Sequence, residues 1–299
     1  MPVHTIAIFG EVLADIFPDQ RVLGGAPFNV ARHLQAFGLR PVLISRTGQD
    51  ELRNKLLSEM TRLGMAISGI QCDKNHPTGQ VQVVLQNNGH RFDILSDQAY
   101  DHVCADTAQQ TLADFPPHLA YLGTLALRSA TSRAAARRFL QHCRCPVFLD
   151  INLRAPWYTA STIELALEAA DFVKLNDTEL ASVAELLGLG GLASQDQAIA
   201  LQQRFGLRQV LVTCGEHGSW LLDEDQRTWR AKPVELAEPV VDTVGAGDAY
   251  AAVFMLGLLR HWDTATTMQR ASKVAAALCR VRGAAAPSAG FFLPFDHEE

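Results

Sequence analysis

The segment Asp242-Thr243-Val244-Gly245-Ala246-Gly247-Asp248, followed at once by the apolar run 249–259, decides how this chain is read. That run is bounded by Asp248 and Arg260 and is too short to span a bilayer, so it reads as a buried helix. Two glycines just before a helix let the backbone approach a ligand closely and turn its free N–H groups outward. With the positive end of the helix dipole, those groups make an anion site. Phosphoryl transfer needs charge stabilisation on the migrating group and a base near its acceptor, and Asp248 stands beside the site. A Gly-x-Gly-Asp segment can also be an ordinary loop with the aspartate as a cap. The rest of the chain has to arbitrate.

Outward from this segment, a short apolar run followed by a helical stretch recurs. Strands are expected at 5–9, 42–45, 119–122, 147–151, 172–175 and 210–213. Helices are expected at 27–37, 51–63, 132–142, 161–170, 179–187, 198–205, 249–259 and 267–281, with Ser161 and Glu164 at capping-box spacing. This alternation predicts an α/β fold with a mostly parallel central sheet and helices on both faces. One segment breaks it. Residues 80–85 and 91–95 alternate apolar with polar around Asn87-Asn88-Gly89, a hairpin signal that puts Val81, Val83 and Leu85 on one face. Residues 12–17 and 21–23 are also strand-like. A small β-lid inserted in the core, from about 12–24 and 71–97, follows as the expectation, with a cleft between lid and core.

Composition narrows the function classes. The 299 residues carry a net charge of -6 with no basic cluster, which gives no electrostatic support for a nucleic-acid or anionic-membrane partner. The first residues show no basic segment ahead of an apolar run, so a cytoplasmic protein is expected. Six scattered cysteines form no Cys-x-x-Cys pair and read as reduced, mostly buried thiols. Ten dispersed histidines pair with no nucleophilic Ser or Cys, and no Gly-x-Gly-x-x-Gly follows the first strand, so neither a hydrolase triad nor a dinucleotide-dependent oxidoreductase is indicated.

The string 242–248 resembles the C-terminal signature of the ribokinase-like, PfkB-type carbohydrate kinases. Gly24-Gly25-Ala26-Pro27-Phe28-Asn29-Val30-Ala31 resembles that family's N-terminal signature, and the likeness spans nearly the whole chain. The resemblance implies an ATP-dependent enzyme acting on a sugar hydroxymethyl group, with Asp248 as general base and an anion hole at Gly245, Ala246, Gly247 and Asp248. It implies a sugar site at Asp15, Gly24, Gly25 and Asn29, with Arg91 and Arg154 as further substrate contacts. Lys174, Asn176, Thr213, Gly215 and Gly218 would then face the nucleotide. Glu179, in Asn176-Asp177-Thr178-Glu179, would organise Mg²⁺, through water because magnesium usually keeps its waters. The same four residues also read as a capping box. Asp242, Val244, Gly283 and Ser288 resemble a potassium loop about one residue longer than the family pattern.

Asp150-Ile151-Asn152-Leu153-Arg154 and Gly123-Thr124-Leu125-Ala126-Leu127-Arg128 resemble elements of the fructokinase-like subgroup, so fructose leads among acceptors. Ribose-specific members place an acidic residue near the second element, where this chain has none. A 2-keto-3-deoxygluconate, another ketose or a nucleoside remains as an alternative, as does a non-catalytic sugar-binding regulator. An exposed hairpin edge calls for cover, which makes a homodimer through the lid the expected assembly.

Overall fold

The computed structural model describes residues 3–86, 89–235, 238–284 and 291, and for 84–86 and 89–91 the backbone only. The chain opens with β1 (Thr5–Phe9), β2 (Leu13–Ile16) and β3 (Arg21–Gly24), then α1 (Ala26–Ala36), β4 (Arg40–Gly48), α2 (Glu51–Arg62) and β5 (Ile70–Asp73). The hairpin β6 (Gly79–Gln86) and β7 (Gly89–Ile94) follows, then α3 (Ala105–Asp114), β8 (Leu119–Gly123), α4 (Ala130–His142) and β9 (Val147–Asp150). Next come α5 (Ala160–Glu168), β10 (Phe172–Asn176), α6 (Asp177–Leu186), α7 (Ser194–Phe205) and β11 (Gln209–Thr213). A second hairpin, β12 (Ser219–Leu222) and β13 (Thr228–Ala231), precedes α8 (Ala246–Arg260) and α9 (Thr264–Leu278).

The nine-stranded sheet has the order β13-β12-β11-β10-β9-β8-β1-β4-β5. It is parallel from β11 to β5, and only the β12–β13 edge runs antiparallel. Because strand side chains alternate, β1 feeds both faces. Ala7 and Phe9 enter a core shared with α3 to α7, while Ile6 and Ile8 enter the one under α1, α2, α8 and α9. All four are essentially inaccessible to water. Each large side chain buried this way contributes on the order of 2–3 kcal/mol.

The small sheet, β3-β2-β6-β7, draws its strands from two separated segments, and β2 pairs parallel with β6. Val81 and Val83 face its buried side; the side chain of Leu85 and the turn residues Asn87 and Asn88 lie outside the described set. The second excursion starts later than expected, because Gln71–Asp73 still pair with β4 on the large sheet. Another correction concerns α5, which is capped two residues earlier than the sequence suggests, by Thr159 with Thr162 closing the box. The thiols are free, as expected, but Cys72 is exposed and the other five are only half-buried. Among the described residues no helix is long and apolar enough to cross a membrane.

Candidate active site

The order of the large sheet reverses at β1, which has β4 on one flank and β8 on the other. In open α/β sheets ligands bind in the crevice past the carboxyl ends of the strands at such a reversal. Glu11 follows β1 there, Gly123 ends β8, Asp150 ends β9, and Asn176 ends β10.

Asp248 lies in the first turn of α8, where its Oδ2 accepts a hydrogen bond from Asn29 Nδ2 at 2.8 Å. Arg32, one turn along α1, donates to the amide oxygen of Asn29 and so fixes which end of that amide faces Asp248. The sequence points Asn29 at a sugar hydroxyl; the structure sets its amide between Asp248 and Arg32. Burial, then the negative charge of Asp150, raise the Asp248 carboxyl to about 6, against the opposing pull of Asn29, Lys174 and Arg154. A carboxylate so tuned is still mostly ionised at neutral pH and is a stronger base than an ordinary aspartate.

The turn ahead of α8 needs its first glycine. Gly245 has φ 81°, and a Cβ there would run into Ala284. One expected member of the anion hole is already used: the Ala246 N–H bonds to Thr243 O at 3.2 Å, closing the turn. Gly247 and Asp248 are then the first-turn amides left for an anion. Asp242 ties the loop down by accepting from Val244 N at 3.0 Å and Gly283 N at 2.9 Å. Three of the four residues expected around potassium are thus brought together; Ser288 lies outside the described residues.

Lys174 is buried. It is 6% exposed, and its Nζ meets both oxygens of the equally buried Asp150 at 2.9 and 3.1 Å. A Cβ on Gly247 would come within 3.6 Å of that Nζ, so the ammonium sits under the anion turn. Glu179 closes its capping box, its Oε2 accepting from Asn176 N while Asn176 Oδ1 accepts from Glu179 N. Its Oε1 takes Leu153 N at 2.9 Å. Burial, then Asp150, push the Glu179 carboxyl up. Each Glu179 oxygen keeps a second lone pair, and Asp150 stands close enough to raise both Glu179 and Asp248. This all-oxygen set beside an anion turn fits a magnesium ion that retains its waters.

Thr213, Gly215 and Gly218 line a cavity of about 470 Å³ whose other wall includes Ala246 and Gly247. Gly218, with φ 89°, lies so close to the β13 backbone that no side chain would fit. The expected nucleotide loop and the anion turn therefore open onto one space.

On the other side of Asp248, Asp15 on β2 is raised to about 6 by burial, with Arg154 opposing. A Cβ on Gly24 would come within 3.3 Å of Asp15 Oδ2, which places that carboxylate against the glycine backbone. Arg154 is exposed and acts on Asp15, Glu11 and Asp248 together. The backbone of Arg91 belongs to β7 of the small sheet, and its side chain lies outside the described set.

Sequence reasoning assigned no role to Glu11 or Asp150. Glu11 is 4% exposed, its Oε2 has no hydrogen-bond partner, and its carboxyl is raised to about 7. Burial causes the rise, and the N–H groups of Glu11 and Ala26 oppose it. The signal was present in Gly10-Glu11, an acidic residue straight after an apolar strand, but nothing local says that it turns inward.

The chain matches the pfkB family carbohydrate kinase pattern over residues 7–289. It is 30% identical to a fructokinase of Klebsiella pneumoniae, covering 86% of this chain and 85% of that one. It is 28% identical to fructoselysine 6-kinase of Escherichia coli strain K12, covering 89% and 92%. A fructokinase from Xylella fastidiosa solved with bound ATP shares the fold with a TM-score of 0.85 at 20% identity, covering 97% of both chains.

Proposed function

Since the chain belongs to the pfkB family of carbohydrate kinases and is an ATP-dependent enzyme of that class, we propose fructose as its acceptor and Asp248 as its base. The observation that carries this reading is the pairing at one turn of a carboxylate raised to about 6 with the free amides of Gly247 and Asp248. ATP would lie in the 470 Å³ cavity with its terminal phosphate at those amides and near Lys174. Glu179 and Asp150 would hold magnesium through water, and the ion would supply charge neutralisation on the phosphates. Asp248 takes the proton of the hydroxymethyl group, whose oxygen forms the new bond to the γ-phosphorus. The bond to the β-phosphate oxygen breaks, and ADP leaves with that electron pair.

Asp15 and the backbone at Gly24-Gly25 would hold the sugar between the small sheet, acting as a lid, and the large one. Closure of that lid would exclude water and limit wasteful hydrolysis. Among the described residues, Arg154 acts on the three carboxyl groups of Glu11, Asp15 and Asp248, a balance that favours a neutral sugar over a sugar acid. The same acidity favours, as a second reading, a ketose bearing an amine, the class to which the substrate of the E. coli relative belongs by name.

An ADP-release screen of the purified protein over fructose, amine-linked ketoses, sugar acids and nucleosides, with and without potassium, tests both readings. Turnover with fructose is expected; turnover confined to sugar acids or nucleosides would overturn the assignment. A potassium response would support the Asp242 loop as a cation site. The open edges of the small sheet, β3 and β7, support a dimer through the lid, which light scattering at micromolar protein would contradict by giving a monomer mass.

A further inference from the structure

Two chain crossings join the large sheet to the β6–β7 hairpin: residues 74–78 leave β5, and residues 95–98 return from β7. They meet at a side-chain cluster that has no part in the chemistry above. His76 is on the outgoing crossing, Asp97 on the returning one, and His102 ends the single 3₁₀ turn that follows, Ala99–His102. Asp97 Oδ1 lies 2.8 Å from His102 Nε2 and 3.6 Å from His76 Nε2. The donor atoms of the three side chains all fall within 4.8 Å of one another.

The cluster is supported from beneath. His76 Nδ1 lies 3.2 Å from Oδ1 of Asp73, a carboxylate only 1% exposed and anchored by Arg46 Nε at 2.8 Å. Asp73 Oδ1 also accepts the N–H groups of Asn75 and His76, so its position is fixed. His76 Nε2, the ring nitrogen away from Asp73, has Asp97 Oδ1 at 3.6 Å. A carboxylate behind the far nitrogen of a histidine is the arrangement that orients imidazoles toward metals.

We propose that His76, Asp97 and His102 form a binding site for a zinc-like divalent transition metal at the base of the lid, with water as the fourth ligand. Two imidazoles and one carboxylate suit such an ion, and magnesium prefers oxygen alone. Tetrahedral bonds of about 2.0 Å place ligand atoms about 3.3 Å apart. The observed separations of 2.8 and 3.6 Å straddle that value. The two rings are stacked, centroids 3.6 Å apart and 13° from parallel, so binding must splay them. The proton shared by His102 and Asp97 is displaced as the metal enters. The ion then staples the outgoing and returning crossings, and the hairpin loses freedom relative to the large sheet.

The test uses the full chain stripped of metal with a chelator and titrated with Co²⁺, then with Zn²⁺ in competition. The expected result is one Co²⁺ per chain with the visible absorption of a tetrahedral ion, displaced by Zn²⁺. His76→Ala and His102→Ala should each weaken binding at least tenfold while retaining the far-UV signal of the folded protein. Zn²⁺ should slow amide exchange across 74–102 in the parent protein and leave it unchanged in the double variant. Absence of a tetrahedral cobalt spectrum would overturn the proposal, as would binding that survives in the double variant or shows thiolate absorption.

Discussion

Two helices of this molecule open in the same way and meet different surroundings. Both α1 and α8 start after a glycine in a positive-φ conformation, Gly25 at 101° and Gly245 at 81°, and neither has a side-chain cap from its N-cap residue. At α1 the protein supplies its own acceptor, for the buried Glu11 carboxyl takes a hydrogen bond from the Ala26 amide. At α8 the turn lines the 470 Å³ cavity instead. A helix N-terminus attracts negative charge whatever its source. On the proposed reading, which of the two receives a phosphate is decided by what the rest of the chain has already placed there. Asn29, reaching from α1 to the Asp248 carboxylate on α8, ties the two openings together.

That contrast can be broken at the α8 end with the largest effect. Asp248→Asn should bind ATP nearly as well as the parent but lose about 10²- to 10⁴-fold in kcat, the range for removing a general base. Isothermal titration beside steady-state assays separates the two, and near-parental kcat would remove Asp248 from the mechanism. Next in size is Lys174→Met, which leaves the 1%-exposed Asp150 without its partner. Breaking a buried pair this way costs about 3–5 kcal/mol. Urea unfolding should show that loss, and an unchanged midpoint would mean the pair carries no stability.

At the α1 end the effect should be smaller and of another kind. Glu11→Gln keeps the shape and removes the titratable carboxyl, so about a tenfold rise in KM for the sugar is expected, a loss near 1.4 kcal/mol, with kcat nearly preserved. A fall in kcat with KM unchanged would mean that Glu11 serves the α8 end instead. The smallest change concerns the link itself. With Asp248 raised to about 6, kcat/KM should rise with pH through that value as the carboxylate loses its proton. Asn29 donates to the ionised form and holds the value down. Asn29→Ala should therefore move the acid limb of the pH–rate profile upward, by less than one unit.

The alternation of apolar runs with helical stretches was enough to read the parallel strands β1, β4, β8, β9, β10 and β11 and the helices between most of them. The antiparallel edge β12–β13 is not legible, because Ser219–Leu222 holds three consecutive apolar residues after a serine and has no period of its own. The site divides along similar lines. Glycines and capping residues act locally, so Gly245, Gly25, Asn176 and Glu179 could be placed from their neighbours in the chain. The partners of Lys174 and Asn29 lie 24 and 219 residues away, and no local pattern says which side chain will meet them. The same holds for His76 and His102, which look dispersed until the hairpin returns one beside the other.

The most direct test of the account is a crystal structure with a non-hydrolysable ATP analogue and fructose bound together. The account predicts the terminal phosphate on the Gly247 and Asp248 amides, with a sugar hydroxyl in hydrogen-bond contact with the Asp248 carboxylate. A terminal phosphate seated away from the start of α8, or a sugar with no hydroxyl near Asp248, would contradict it.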